Sequence, residues 1–96
     1  VTRFRLSPAA VQDLSEIWNY TERLWEVMQA EAYIGEIREA VGRIAERPDR
    51  GRPCDEIRSG YRRYVVDSHM ILFRQSGIGV DVIRILHQRM DPTRPL

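Results

Sequence analysis

The chain has 96 residues, enough for one domain with a modest core. Its 15 basic and 14 acidic residues leave a net charge of +1. That balance argues against a protein held on nucleic acid by bulk electrostatics, which needs a basic excess. No apolar run approaches the roughly 18 residues of a membrane span, and a hydrophobic fraction of 43% is that of an ordinary folded domain.

The N-terminal Val1-Thr2-Arg3-Phe4 alternates like a strand and has no signal-peptide apolar region. Phe4 and Leu6 fall on one side of it and Arg3 and Arg5 on the other, the pattern of a short, half-buried strand. Ser7-Pro8 then reads as a helix start, Ser7 as N-cap and Pro8 at the first helical position. From Ala9 to Arg47 there is no proline. A single helix over that stretch would be roughly 60 Å long at about 1.5 Å per residue. A domain of this length has a radius of gyration of only about 12–13 Å, so the helix must fold back. Ala10, Leu14, Ile17, Thr21 and Leu24 form one apolar ridge, which fails when continued. A second ridge begins at Ala30 and runs through Tyr33, Ile37, Ala40 and Ile44. The pattern predicts an αα-hairpin of two helices, 8–25 and 28–47, although Glu26 and Val27 are not turn-formers.

Arg47 to Pro53 is a loop whose three arginines read either as a phosphate site or as a solvated, basic helix end. Asp55 to Arg58 is expected to form a short strand, and Ser59-Gly60 a turn. Tyr61 to Asp67 is a strong strand, Asp67-Ser68 a hairpin turn, and His69 to Gln75 the next strand. Ser76 to Gly79 is another turn. Val80 to Asp91 is the most β-like run in the chain. Strict alternation puts Val80, Val82, Arg84 and Leu86 on one face and Asp81, Ile83, Ile85 and His87 on the other. Both faces are apolar, as in an inner strand. Asp91 to Leu96 reads as a tail without regular structure. The fold expected for residues 1–96 is a single α+β domain of order β-α-α-β-β-β. The helix hairpin covers one face of a small, mainly antiparallel sheet and leaves the other face open.

All 15 basic residues are arginine. Arginine binds phosphate but is a poor base, so any proton abstraction falls to His69, His87, a carboxylate or a tyrosine. Two histidines and one cysteine, Cys54, give no metal-ligand spacing, and no cofactor motif is present. The lone cysteine cannot form an internal disulfide, which fits a reducing cytoplasm. Helix carboxylates such as Asp13, Glu16 and Glu31 are expected mainly on polar faces. His87 has two readings. It is either an acid–base group served by Arg62 and Arg84, sufficient for RNA cleavage, or a structural histidine capping the core edge. Trp18 and Trp25 with Tyr33 read either as packing between helices or as an aromatic groove for a partner's helix.

Taken in order, these elements resemble the ParE toxins of the ParE/RelE toxin–antitoxin superfamily. The resemblance rests on Leu6-Ser7-Pro8-Ala9-Ala10, Asp13-Leu14, Ile17-Trp18-Asn19-Tyr20, Trp25 and Ala30-Glu31-Ala32-Tyr33. It continues through Pro48, Gly51-Arg52, Asp55-Glu56-Ile57-Arg58, Gly60-Tyr61-Arg62-Arg63, Ser68-His69 and Phe73-Arg74 to Ile83-Arg84-Ile85-Leu86-His87-Gln88-Arg89-Met90-Asp91. Glu26 departs from the glycine that often follows the Trp25 equivalent.

The resemblance implies a cytoplasmic toxin that poisons DNA gyrase, without chemistry of its own and without direct nucleic-acid binding. It implies neutralisation by a ParD-like antitoxin in a hetero-oligomeric complex. Combined with the helix pattern, it points to Leu14, Trp18, Trp25, Tyr33 and Ile37 as antitoxin-binding residues. Arg62, Arg63, His87 and Arg89 are the target-binding candidates. The alternatives are a RelE-like ribosome-dependent endoribonuclease using His87, Arg62 and Arg84, and a non-toxic antitoxin-binding module. Against the nuclease stand the near-zero net charge and the absence of lysine.

Overall fold

A computed structural model describes residues 3–77 and 79–89; the tail expected from Asp91 to Leu96 lies outside them. Strand β1 (Phe4–Leu6) leads into α1 (Pro8–Leu24) and α2 (Val27–Glu46). A 3-10 turn (Pro48–Arg50) is followed by β2 (Arg52–Pro53), β3 (Tyr61–Val66), β4 (His69–Ser76) and β5 (Gly79–His87). The strands form one sheet in the order β1-β5-β4-β3-β2. β1 runs parallel to β5, and the other pairings are antiparallel. β5 is thus an inner strand, as its two apolar faces require.

The helix hairpin forms where the ridge changes phase. Ser7 caps α1, its hydroxyl accepting from the Ala10 amide at 3.0 Å with Pro8 behind it. The same hydroxyl donates to the Ile83 carbonyl at 2.6 Å, and the Ser7 amide to the Val82 carbonyl at 3.0 Å. One residue therefore starts the helix and ties it to β5. At the other end the turn needs only Trp25 and Glu26: the Trp25 amide still donates to the Thr21 carbonyl at 2.9 Å, and Glu26 is extended. Both ridges point at the sheet. Ala10, Ile17, Ile37, Ala40, Val41 and Ile44 are buried against Val66, Ile71, Phe73, Val80, Val82 and Ile85.

Three expectations are corrected. Asp55 to Arg58 is a turn, because the Asp55 carboxylate accepts from the Gly60 amide at 2.8 Å and curls the segment back. The pairing goes instead to Arg52 and Pro53, opposite Arg63 and Arg62. Because that loop folds over the sheet, the second face is not fully open: Cys54, Tyr61 and Leu72 are buried there with Ile57 and Ile83 packed against them.

The third correction concerns the phase of β5. Arg84 pairs with Leu72 but Val82 pairs with Phe73, so Ile83 is an extra residue in the strand. This β-bulge resets the alternation. Val80, Val82 and Ile85 join the helix-side core, while Ile83 goes to the second cluster.

Candidate functional site

The hairpin tip overhangs the β3–β4 turn and the end of β5, leaving a groove of about 470 Å³. Tyr20, Thr21, Trp25, Gln29 and Tyr33 come from the helices; Asp67, Ser68, His69 and His87 come from the sheet. The rim is unusually apolar for a surface. Tyr20 is 59% exposed, Trp25 70% and Met28 75%, with Leu24 and Val27 also exposed. Helix residues this apolar and this open mark a place where a partner is expected.

The floor is a row of rings. Register places His69 opposite His87, their centroids 5.4 Å apart and nearly perpendicular. The Tyr33 hydroxyl lies 2.6 Å from His69 Nδ1. Burial, and then the neighbouring His87, hold the His69 pKa below the usual imidazole value, so His69 is neutral near pH 7. The phenol then donates to Nδ1, which leaves the ring proton on Nε2. Burial raises the Tyr33 pKa and keeps that phenol protonated. His87 Nδ1 accepts from the Arg89 amide at 3.2 Å. Asp67 sits in the turn at φ 52°, a left-handed conformation that Asp and Asn tolerate.

An adjoining lobe of about 290 Å³ shares Tyr20, Thr21, His69 and His87 and extends to Asp13, Glu16 and Arg84. Here the polar-face expectation for Asp13 fails. Its carboxylate is buried and accepts from Arg84 Nε and Nη2, both at 2.8 Å, and from the Ile85 amide at 2.9 Å. The bond to Asp13 raises the Arg84 pKa further. A signal for this was present: Asp13 stands three after Ala10 and four before Ile17, on the buried ridge itself.

The antitoxin-binding candidates fall at different depths. Trp25 and Tyr33 line the groove. Trp18 is half-buried, its indole donating to Glu22 at 3.2 Å. Leu14 and Ile37 line a separate apolar cleft of about 210 Å³ beside β1, where Ile37 is 1% exposed and forms floor rather than contact surface. The target-binding candidates are dispersed. Arg62 donates to the Gly51 carbonyl at 2.7 Å. It lies four positions along β3 from Val66, the partner of His69, so roughly 13 Å from the histidine pair. Arg63 pairs with Leu72 on the second face. Only His87 reaches the groove, and Arg89 is exposed just past it. His87, Arg62 and Arg84 are likewise not brought together: the two arginines are committed to Gly51 and Asp13. Sequence reasoning missed Tyr20, Asp67 and His69 as groove residues. Among the described residues, no group of three or more His, Cys, Asp or Glu side chains is arranged to hold a metal, and no helix is long and apolar enough to cross a membrane.

Comparison with known proteins supplies a family. A family model described as the ParE toxin of a type II toxin–antitoxin system, parDE, matches residues 4–92. The chain is 50% identical over 96 residues to Toxin ParE1 of Mycobacterium tuberculosis (strain ATCC 25618 / H37Rv), covering 99% of this chain and 98% of that protein. It is 43% identical over 88 residues to Toxin ParE1 of Caulobacter vibrioides (strain ATCC 19089 / CIP 103742 / CB 15), covering 92% and 91%. Among solved structures, a chain of the chromosomal ParDE TA system from P. aeruginosa superposes with a TM-score of 0.77, over 90% of this chain and 95% of that one. At 19% identity it supports the fold.

Proposed function

This chain belongs to the ParE toxin family of type II toxin–antitoxin systems, and we propose that it acts in the cytoplasm by inhibiting DNA gyrase, held inactive in a hetero-oligomeric complex with a ParD-like antitoxin. The observation that carries the reading is a family match running almost from end to end, at 50% identity to one ParE1 toxin. The surface is consistent with it. The exposed aromatic tip around Trp25 offers a partner helix a desolvated anchor of the kind that dominates interface energies. The toxin works by binding, with no chemistry of its own and no direct contact to nucleic acid. The commitment of Arg62 to Gly51 and of Arg84 to Asp13 weighs against a nuclease built on His87.

Purified protein in stoichiometric excess over gyrase is expected to block supercoiling or trap cleaved DNA, and the antitoxin encoded beside it is expected to restore activity. Undiminished supercoiling at that excess overturns the gyrase reading. Mapping mRNA 5′ ends after expression covers the nuclease: cleavage abolished by His87→Ala in a folded protein would replace the inhibitor reading.

A further inference from the structure

The groove under the hairpin has an unusual charge for this chain. Fifteen of 96 residues are arginine, yet among the described residues none lines it. The walls are the rings of Tyr20, Trp25 and Tyr33, the floor is two imidazoles, and Asp67 is the one carboxylate among the described residues that line it. Two described arginines from this end of β5 are placed elsewhere: Arg84 is bound to Asp13 in the adjoining lobe, and Arg89 is exposed beyond the end of β5. Glu16 adds a second carboxylate in that lobe.

We propose that this groove receives a single basic side chain of the antitoxin, a guanidinium or ammonium lying between the Trp25 and Tyr20 rings with its charge on Asp67. This rests on the antitoxin reading above and names the chemistry of its contact. Charge complementarity carries it. Aromatic faces attract cations, and Asp67 supplies the charge-assisted bond. Among the described residues the Asp67 carboxylate has only the Ser68 hydroxyl, at 3.4 Å. Its field is felt in the groove, where it opposes ionisation of the Tyr33 phenol and favours protonation of His69. A carboxylate entering the same space meets Asp67, with no arginine among the described lining residues to receive it. A wholly apolar side chain leaves the Asp67 carboxylate without a cation to pair with.

The test is a double-mutant cycle on the intact toxin and its co-encoded antitoxin. Dissociation constants are measured by calorimetry for wild type, Asp67→Asn and Trp25→Ala, against antitoxin variants in which each Lys or Arg is changed to Gln. Asn tolerates the positive φ of position 67, and a urea melt verifies that the fold is kept. Asp67→Asn is expected to weaken binding about 5- to 20-fold, and that loss should vanish against one antitoxin variant only. A change below about twofold, or an equal loss against every antitoxin variant, overturns the proposal. If Trp25→Ala weakens binding and Asp67→Asn does not, the groove is an antitoxin site without a cation, and only the cation is refuted. If wild-type toxin does not bind the antitoxin at all, the antitoxin reading falls and the proposal with it.

Discussion

Replacing Asp13 by alanine should be among the most damaging substitutions on α1. Three hydrogen bonds converge on its carboxylate: two from Arg84 at 2.8 Å and one from the Ile85 amide at 2.9 Å. The side chains are 6% and 17% exposed, so water replaces little of what is lost. Removing one member of a buried ion pair costs about 3–5 kcal/mol, because the other charge stays buried without its partner. Arg84 keeps some solvent and a further interaction, so the low end, about 3 kcal/mol, applies. For 96 residues the total stability is about 5–14 kcal/mol, so the variant loses a large share of it. In a urea titration, with a slope of about 1.5 kcal/mol per molar, the midpoint should fall by about 2 M at unchanged slope. Asp13→Asn should recover only part, since its amide NH₂ faces donors. The Asp13→Leu, Arg84→Met double variant removes both charges together and leaves the Ile85 amide unsatisfied, a cost of about 1–2 kcal/mol. It should therefore be more stable than Asp13→Ala. The reasoning is refuted if Asp13→Ala stays within about 1 kcal/mol of wild type, or if the double variant is the less stable of the two.

Two glycines should respond in opposite directions. Gly79 sits at φ +142°, and a Cβ there would collide with the Arg3 carbonyl, its carbon 2.9 Å away. Gly79→Ala should cost about 1–3 kcal/mol by urea melting, and an unchanged midpoint would remove the strain argument. Gly35 lies inside α2 with open space at its Cβ position, so Gly35→Ala should stabilise by about 0.5–1 kcal/mol in the same assay. Stability should also fall on mild acidification. Because the folded-state pKa of His69 is lowered, the unfolded chain binds its proton first as pH drops. The contribution is complete above about pH 6.5 and is lost as pH falls through the folded value, at no more than about 1.4 kcal/mol per pH unit. Urea midpoints compared at pH 7.5 and 5.5 should show a smaller pH dependence in His69→Gln than in wild type; equal dependence would assign the effect to another group.

The helices were legible because their signals are local. The apolar ridge through Ala10, Leu14 and Ile17, its failure after Leu24, and the Ser7-Pro8 cap place α1 and α2 within one residue of their observed ends. The two β-turns at Asp67-Ser68 and near Gly79 likewise set the β3-β4-β5 meander. What stayed hidden depends on contacts far apart in sequence. Asp13 reads as a surface carboxylate until Arg84, 71 residues away, is seen to meet it. Arg84 reads as one more strand arginine until Asp13 is placed. The groove was half legible for the same reason. Trp25 and Tyr33 announce themselves as aromatics on helices, whereas nothing in the sequence sets Asp67 and His69 beside them until the hairpin tip is laid over them.

The bulge in β5 joins these observations. An extra residue leaves no mark on composition, and strict alternation sends His87 to the face of Ile83. The inserted Ile83 breaks that link, so His87 keeps company with Ile85 and His69 beside the groove. An irregular strand needs its freed backbone groups met, and α1 meets them. Ser7 donates to the Ile83 carbonyl and Asp13 accepts the Ile85 amide, on either side of the residue whose guanidinium Asp13 also clamps. One helix face thus holds both flanks of the bulge, and the phase it fixes carries His87 to the groove. Stability and recognition meet in Asp13: it holds the strand segment on which the groove floor depends.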